Sequence, residues 1–122
     1  MTQEALEYIT NLLKKEAKIN YKFLEWKGKI TYPYFVGEYQ ESEALNENGM
    51  QDVLFILNGF TRNEWLELEQ AKATIEKVVN KRGILPNGNG IAIMYSNSLV
   101  VPTGENELKR MEIRLKIKEW RI

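Results

Sequence analysis

Five acidic side chains and no basic one lie in residues 38–52, and they are the first candidates for chemistry. They are Glu38, Glu41, Glu43, Glu47 and Asp52. Paired carboxylates can act as general acid and base or bind a hard cation. Their spacing matches no calcium-binding loop, and the Asn48-Gly49 sequence predicts a turn among them. The pattern therefore favours a solvated acidic loop without a metal site.

Three glycines in residues 83–90, preceded by Lys81 and Arg82, form the only candidate phosphate-binding loop. A loop of that kind would open a helix, because the backbone N–H groups of a helix N-terminus bind the phosphate. Here the glycines follow a predicted helix and lead into a predicted strand, and no GK[ST] sequence is present. The sequence therefore predicts an ordinary connection between helix and strand.

Residues 109–122 contain six basic and two acidic side chains together with Trp120. A basic strand with an aromatic residue can contact nucleic acid. The whole chain, however, has 17 basic and 17 acidic residues and a formal net charge of zero. We therefore interpret this segment as a solvated strand face and do not expect a nucleic-acid partner.

The acidic and basic segments together suggest self-association. A neutral chain whose charge is separated along the sequence can associate head to tail, with the acidic surface of one copy against the basic surface of the next. This hypothesis predicts oligomers at high protein concentration and low salt, because salt screens such contacts.

The chain has no histidine and no cysteine. This composition removes the commonest general base, the commonest metal ligand and every thiol nucleophile. Ser-His-Asp triads, zinc-protease helices and His-Cys zinc fingers are excluded. We therefore expect a protein that is not an enzyme and that holds no cofactor and no metal.

Hydropathy predicts neither a membrane span nor a signal peptide. The longest uninterrupted apolar run, residues 53–57, is far shorter than the roughly 20 residues that cross a bilayer as a helix. Residues 1–17 are charged and amphipathic, unlike a secretory leader. We expect synthesis in the cytoplasm and no contact with a membrane.

The length of 122 residues predicts one domain spanning residues 1–122. Helical periodicity predicts helices over residues 2–17 and 61–81. The second helix is expected to begin with a capping box of Thr61 and Glu64 and to end at Gly83. Trp65, near its start, is expected to lie in the core.

Alternating apolar and polar residues predict the strands. They cover residues 19–24, 34–42, 50–58, 91–95 (continuing through 96–98 into 99–101) and 111–118. The first two are expected to form a hairpin, and the third to be central, because it is apolar on both faces. The fold class is α+β, in the order α-β-β-β-α-β-β. We expect an antiparallel, possibly mixed, sheet of four to five strands with two helices packed on one face. A parallel βαβ unit across the second helix, joining the third and fourth strands, stays open.

Residues 30–39 combine three tyrosines, a phenylalanine and a valine around Pro33. Proline cannot donate to a β-ladder, so this segment should be the start or the edge of a sheet. Strand edges must be covered or protected. Tyr32, Tyr34 and Trp26 are therefore favoured as interface residues.

The Tyr-Pro-Tyr-Phe-Val sequence at residues 32–36, running into Gly37-Glu38-Tyr39, resembles the small neck proteins of long-tailed bacteriophages. These are the tail terminator, tail-completion and head–tail joining proteins. The order of elements resembles theirs over nearly the whole chain. The resemblance implies a sheet with helices on one side that assembles into a ring, often a hexamer. Such a ring caps the tail tube, stops its growth and docks the head, without catalytic residues. The long basic final strand and the loop at 85–90 depart from many members.

The sequence thus predicts a structural protein of a phage or prophage virion, at the neck or tail, made in the cytoplasm of a bacterial host. Its partners would be further copies of itself, tail-tube proteins and head-connector proteins. The expected interface residues are Tyr32, Tyr34, Tyr39, Glu41, Glu43, Glu47, Lys116, Lys118 and Trp120. Two alternatives stay open: an immunity-type inhibitor whose acidic loop masks a basic enzyme, and a nucleic-acid-binding domain that uses the final strand.

Overall fold

The computed structural model describes residues 1–41 and 50–121. The first helix comprises α1 (Gln3–Asn11) and a π-helical continuation (Leu12–Glu16), with Thr2 as N-cap. It is followed by β1 (Tyr21–Phe23), β2 (Tyr34–Glu41), β3 (Met50–Thr61), α2 (Trp65–Val79), β4 (Lys81–Ile84), β5 (Gly90–Val101) and β6 (Lys109–Trp120).

The strands form one mixed sheet of six, in the order β1-β2-β3-β6-β5-β4. The α+β class is confirmed, but the predicted number of four to five strands is wrong. β1 pairs with β2 in parallel, with Tyr21 opposite Phe35, so the predicted hairpin between them is wrong as well. All other neighbours are antiparallel. Parallel pairing requires the chain to return to the start of β2, and residues 24–33 make that return.

The chain passes from β3 through α2 to β4 and then to β5, but β3 and β5 are not neighbours in the sheet. β6 lies between β3 and β5 and is antiparallel to both. The third and fourth predicted strands, β3 and β5, therefore run parallel with β6 between them, and β4, which is antiparallel to β5, comes between α2 and β5 along the chain. β3 is central, as its apolar sequence predicts.

Both helices pack on one face of the sheet. Every second residue of β3 and β6 points towards them, which is the two-residue period of a strand. The buried core joins these strand residues to both helices, and its members include Ile9, Leu13, Val53, Phe55, Leu57, Leu68, Ile75, Ile113, Leu115 and Ile117. Burial of these side chains on one face supplies most of the apolar stabilisation of the fold.

The start of α2 differs from the predicted capping box. Thr61 is the last residue of β3 and is buried, and its Oγ1 accepts from the Asn63 N–H and donates to Glu67. Glu64 is the N-cap and makes no side-chain capping bond. Trp65 is 38% exposed, so its predicted place in the core is wrong.

The predicted end of the second helix at Gly83 is also wrong. The helix ends at Val79, and β4 follows almost at once, with Gly83 opposite Ile91 of β5. Residues 85–89 then form the turn of a β4–β5 hairpin, in which Gly88 has φ of +89°. The predicted loop is therefore present, but it joins two strands.

Pro33 marks the entrance to the sheet as predicted, because β2 begins at the next residue. The peptide bond between Tyr32 and Pro33 is cis. β2 is second from the edge, since β1 covers its first half.

Gly59 offers a first test of core packing. A Cβ added there would lie 2.4 Å from Cε2 of Phe35, whose ring is buried. We expect Gly59→Ala to lower the free energy of unfolding by about 1–3 kcal/mol, because the crowded core must shift to admit the methyl group. Urea unfolding followed by circular dichroism measures this loss.

Gly83→Ala is the matched control for that substitution. Gly83 is also a strand glycine, but the atom nearest to its added Cβ is the Tyr8 hydroxyl, at 3.2 Å. We expect a smaller loss than at Gly59, because the Tyr8 hydroxyl at the end of its side chain has to move by only a few tenths of an ångström. Equal losses at the two glycines would show that the contact with Phe35 does not limit packing at Gly59.

Candidate assembly surface

The face of the sheet opposite the helices is the candidate functional surface, and we call it the helix-free face. Its side chains alternate with those of the core along β2, β3, β6 and β5. They include Tyr34, Val36, Glu38, Gln40, Asp52, Leu54, Ile56, Asn58, Phe60, Arg110, Glu112, Arg114, Lys116, Lys118, Trp120, Met94 and Leu99. The face mixes apolar, aromatic and charged groups, which is the composition of many protein interfaces.

Four aromatic rings cluster at the end of this face where β2 begins. Tyr34 stacks on Phe60, with ring centroids 5.0 Å apart and planes inclined by 18°. The ring centroid of Tyr34 also lies 5.2 Å from that of Trp26 and 5.7 Å from that of Tyr32. Such pairs contribute about 0.5–1.5 kcal/mol each beyond burial. The cluster is therefore an ordered platform, and it brings together Tyr32, Tyr34 and Trp26, the three residues that the sequence favours at an interface.

Two arginines frame the aromatic cluster. Arg62 donates from Nε to the Tyr32 hydroxyl at 3.1 Å and pairs with Glu105 at 2.9 Å. The guanidinium of Arg110 lies 5.8 Å from the centroid of the Phe60 ring and donates to Asn58 Oδ1 at 2.7 Å. These contacts connect the cluster to the chain after β3 and to the β5–β6 connection.

The surroundings of Tyr34 disfavour ionisation of its phenol. Burial raises the pKa of Tyr34 above its ordinary value, and neighbouring Tyr32 adds to that shift. A neutral tyrosine offers an apolar ring and a polar hydroxyl, which suits a protein contact better than a charge. A depression of about 460 Å³ lies between Trp26, Phe60 and Arg110.

Charged side chains of β6 cross the middle of the helix-free face. Glu112 accepts from Arg114 Nε at 2.7 Å and lies 3.9 Å from Arg110. Lys118 faces Asp52 across the β3–β6 ladder. Part of the charge that the sequence separates is thus brought together within one copy. Acidic-on-basic association between copies stays a prediction, with fewer unmatched charges to drive it.

The remaining predicted interface residues lie apart. Tyr39 is on the core face of β2 and stacks on Phe23, with centroids 5.9 Å apart. Glu41 pairs with the amino group of Met1 and accepts from Gln51 at 3.2 Å. The predicted loop residues Glu43 and Glu47 lie outside the described residues.

Lys116, Lys118 and Trp120 lie on the helix-free face, at the end opposite the aromatic cluster. The Trp120 ring packs on Gly90, where an added Cβ would lie 2.3 Å from Cε2 of the indole.

The sequence reasoning missed Phe60 and Arg110. The signal for Phe60 was available, since it continues the two-residue period of Leu54, Ile56 and Asn58.

Two kinds of feature are not found in the described part of the chain. Residues 1–41 and 50–121 contain no group of three or more Asp, Glu, His or Cys side chains placed to hold a metal ion. Within the same ranges no helix is long and apolar enough to cross a membrane.

Comparison with known proteins gives a fold and no family. No protein-family model and no curated protein matches the chain. Among solved structures, the chain is similar to a chain of the virion of a native gene transfer agent (GTA) particle, with a TM-score of 0.70 and 10% sequence identity. The match covers 92% of this chain and 84% of that chain. The two chains therefore share a fold over nearly their whole length.

Proposed function

We propose that this chain is a structural protein of a phage-like virion. The observation that carries the proposal is the shared fold with a chain of a GTA virion, over 92% of the residues. A fold alone does not fix a function. The helix-free face adds support from the molecule itself, because it presents ordered aromatic, apolar and charged groups on one sheet surface, as interfaces do.

Within the virion we propose the neck or tail as the position of the chain. Copies of it form a ring at the head–tail junction that ends growth of the tail tube and docks the head. The mechanism is geometric and needs no catalysis: a closed ring offers one surface to the tube and another to the head connector. The absence of histidine and cysteine from the sequence is consistent with such a role.

Electron microscopy of tail tubes tests this role. The chain is mixed with the tail-tube protein encoded in the same phage or prophage genome, and tube lengths and tube ends are recorded. We expect tubes that carry extra density at one end and stop growing. Tubes whose ends and lengths are unchanged by the chain would contradict the proposal.

Two further binding measurements separate the alternatives. A tight one-to-one complex with a basic enzyme would favour the inhibitor hypothesis. Binding to DNA or RNA that weakens steeply with salt would favour the nucleic-acid hypothesis. We expect no nucleic-acid binding, because Arg110 and Arg114 of the basic strand already contact Asn58 and Glu112.

A further inference from the structure

Exposed apolar side chains concentrate at the two lateral edges of the sheet. Of the eight large apolar side chains that are exposed among the described residues, five lie in or directly beside an edge strand, and a sixth lies in the connection between β1 and β2. Leu24 directly follows β1 and is 64% exposed, and Ile30 lies in the connection that follows. At the opposite edge are Ile84 of β4 and Met94, Leu99 and Val100 of β5. Monomeric proteins protect sheet edges with charges or cover them, so these edges are suited to contact.

Each edge has a step, because its outermost strand is short. β4 pairs only with residues 90–93 of β5, so residues 94–101 have no further strand beside them among the described residues. The Tyr95 N–H in this part is satisfied by Asn80 Oδ1 at 3.0 Å. On the other side β1 pairs only with residues 35–37 of β2. β4 and β1 therefore lie towards opposite ends of the long strands that they flank. Each leaves the rest of that long strand uncovered, and we call the uncovered stretch a notch.

β1, which projects from one edge of the sheet, matches the notch beside β5 on the other edge in its position along the strands and in its direction. Lys22 of β1 faces Val36, and the ladder continues through Asn58 and Glu112 to Leu99 of β5. β1 therefore lies level with the free part of β5. β5 runs antiparallel to β2, and so to β1. A rotation about an axis along the strands would place β1 of one copy antiparallel to β5 of the next, without a shift along the strands.

We propose that successive copies of this chain join edge to edge, with β1 of one copy seated in the notch beside residues 96–101 of β5 of the next. We call this contact the β1–β5 joint. It covers Leu24, Leu99 and Val100 together and supplies a neighbouring strand for the part of β5 that has none among the described residues. Residues 96–101 carry no charged side chain that would oppose it. The contact is heterologous, so repetition gives a ring if the rotation closes. The joint rests on the proposed function only in that the assembly consists of identical copies.

Two lysine variants test the joint. Leu99→Lys places a charge in the notch, and Leu24→Lys places one beside the projecting strand. A head-to-tail joint needs one intact edge of each kind, so each variant alone is expected to be monomeric by native mass spectrometry. An equimolar mixture restores one joint per pair and is expected to give a heterodimer and nothing larger. The control is Leu66→Lys, which changes an exposed leucine on α2 and is expected to assemble like the wild type.

Cysteine cross-linking provides an independent measurement, since the chain has no cysteine of its own. Lys22→Cys and Leu99→Cys in one chain are expected to give a ladder of disulfide-linked oligomers on mild oxidation. The pair Leu99→Cys and Lys77→Cys, with the second cysteine on exposed α2, is expected to give none.

The outcomes that would contradict the β1–β5 joint can be distinguished from those that would contradict the proposed function. Wild-type oligomers that survive Leu99→Lys would overturn the joint and leave the ring proposal standing. A Leu24→Lys homodimer would show that two β5 edges pair with each other. A wild type that stays monomeric at millimolar concentration without cross-links would also overturn the joint. A heterodimer from the mixture, together with uncapped tail tubes, would support the joint and contradict the proposed function.

Discussion

Replacement of Phe55 by alanine is expected to lower the free energy of unfolding by about 3–5 kcal/mol. Phe55 lies in the central strand β3, is fully buried and faces Leu115 of β6. Its ring centroid lies 6.5 Å from that of Tyr21, and its Cζ packs 2.9 Å from the position of a Cβ on Gly37. Removing the ring leaves a cavity between strands that are fixed by their ladders, so the core cannot close around it. Urea unfolding, with an unchanged denaturant slope, measures the loss.

Phe60→Ala is the matched control in the same strand. Phe60 lies on the helix-free face and is half-buried, with Tyr34 stacked on it. We expect a loss of about 1–2 kcal/mol, from one aromatic pair and partial burial. The measurement is made on dilute protein, so that assembly does not add to stability. Equal losses for the two variants would contradict the assignment of core face and helix-free face.

The sequence predicts well those elements whose hydrophobic periodicity is compatible with only one secondary structure and one buried face. β6 alternates Met111, Ile113 and Leu115 with charged residues, and that alternation fits only a strand with one buried face. β3 is apolar on both faces and is central in the sheet. The pattern of α1 is similarly clear, and Thr2 caps it through a bond from the Ala5 N–H at 3.2 Å.

The elements that the sequence predicts wrongly depend on tertiary contacts. Lys81, Arg82 and Gly83 have the composition of a helix end, yet they form β4 because β5 offers an edge with which to pair. Thr61 and Glu64 have the spacing of a capping box, but the β3 ladder extends through Thr61 and moves the helix start onwards. At β4 and at the start of α2, strand pairing outweighs the local conformational preference of the sequence.

Only part of the candidate surface can be predicted from the sequence, because the strand period shows which residues share a face but does not show which strands pair. Period-two reasoning places Lys116 and Lys118 on one face of β6, which is correct. It does not say that β1 pairs with β2 in parallel, which brings the Trp26 ring onto Tyr34. Nor does it show that Tyr39 faces the core, because the register of β2 is set by the neighbouring strand. The edges proposed as the joint depend wholly on strand order.

Glu119 is a carboxylate buried on the core face of β6, and it connects three parts of the chain. It accepts from the Thr2 N–H at 3.2 Å, from the Thr2 hydroxyl at 2.7 Å and from Asn89 Nδ2 at 2.8 Å. Burial alone would raise the pKa of Glu119, but the hydrogen bonds from Asn89 and Thr2 outweigh burial, and the pKa lies below its ordinary value. All three partners are donors, so the site is built for an ionised acceptor.

Glu119→Gln is expected to lower the free energy of unfolding at neutral pH by about 1–3 kcal/mol. An amide has nearly the shape of a carboxylate, but its NH2 group would face a donor of Thr2 or Asn89 and leave that donor without a partner. The substitution is therefore not conservative here. Urea unfolding at pH 7 measures the loss, and Glu107→Gln, at an exposed position in the β5–β6 connection, is the control expected to change stability by less than about 0.5 kcal/mol.

The difference between wild type and Glu119→Gln is expected to shrink in acid. A carboxyl whose pKa is lower in the folded than in the unfolded chain stabilises the fold fully above the unfolded pKa of about 4.3. That contribution is lost as the pH falls through the lower folded pKa, because protonation removes the charge that the donors bind. The glutamine variant has no such proton to take up at this position. Unfolding curves of both proteins between pH 7 and strongly acidic pH should therefore converge, and a difference that stays constant with pH would show that Glu119 acts by shape alone.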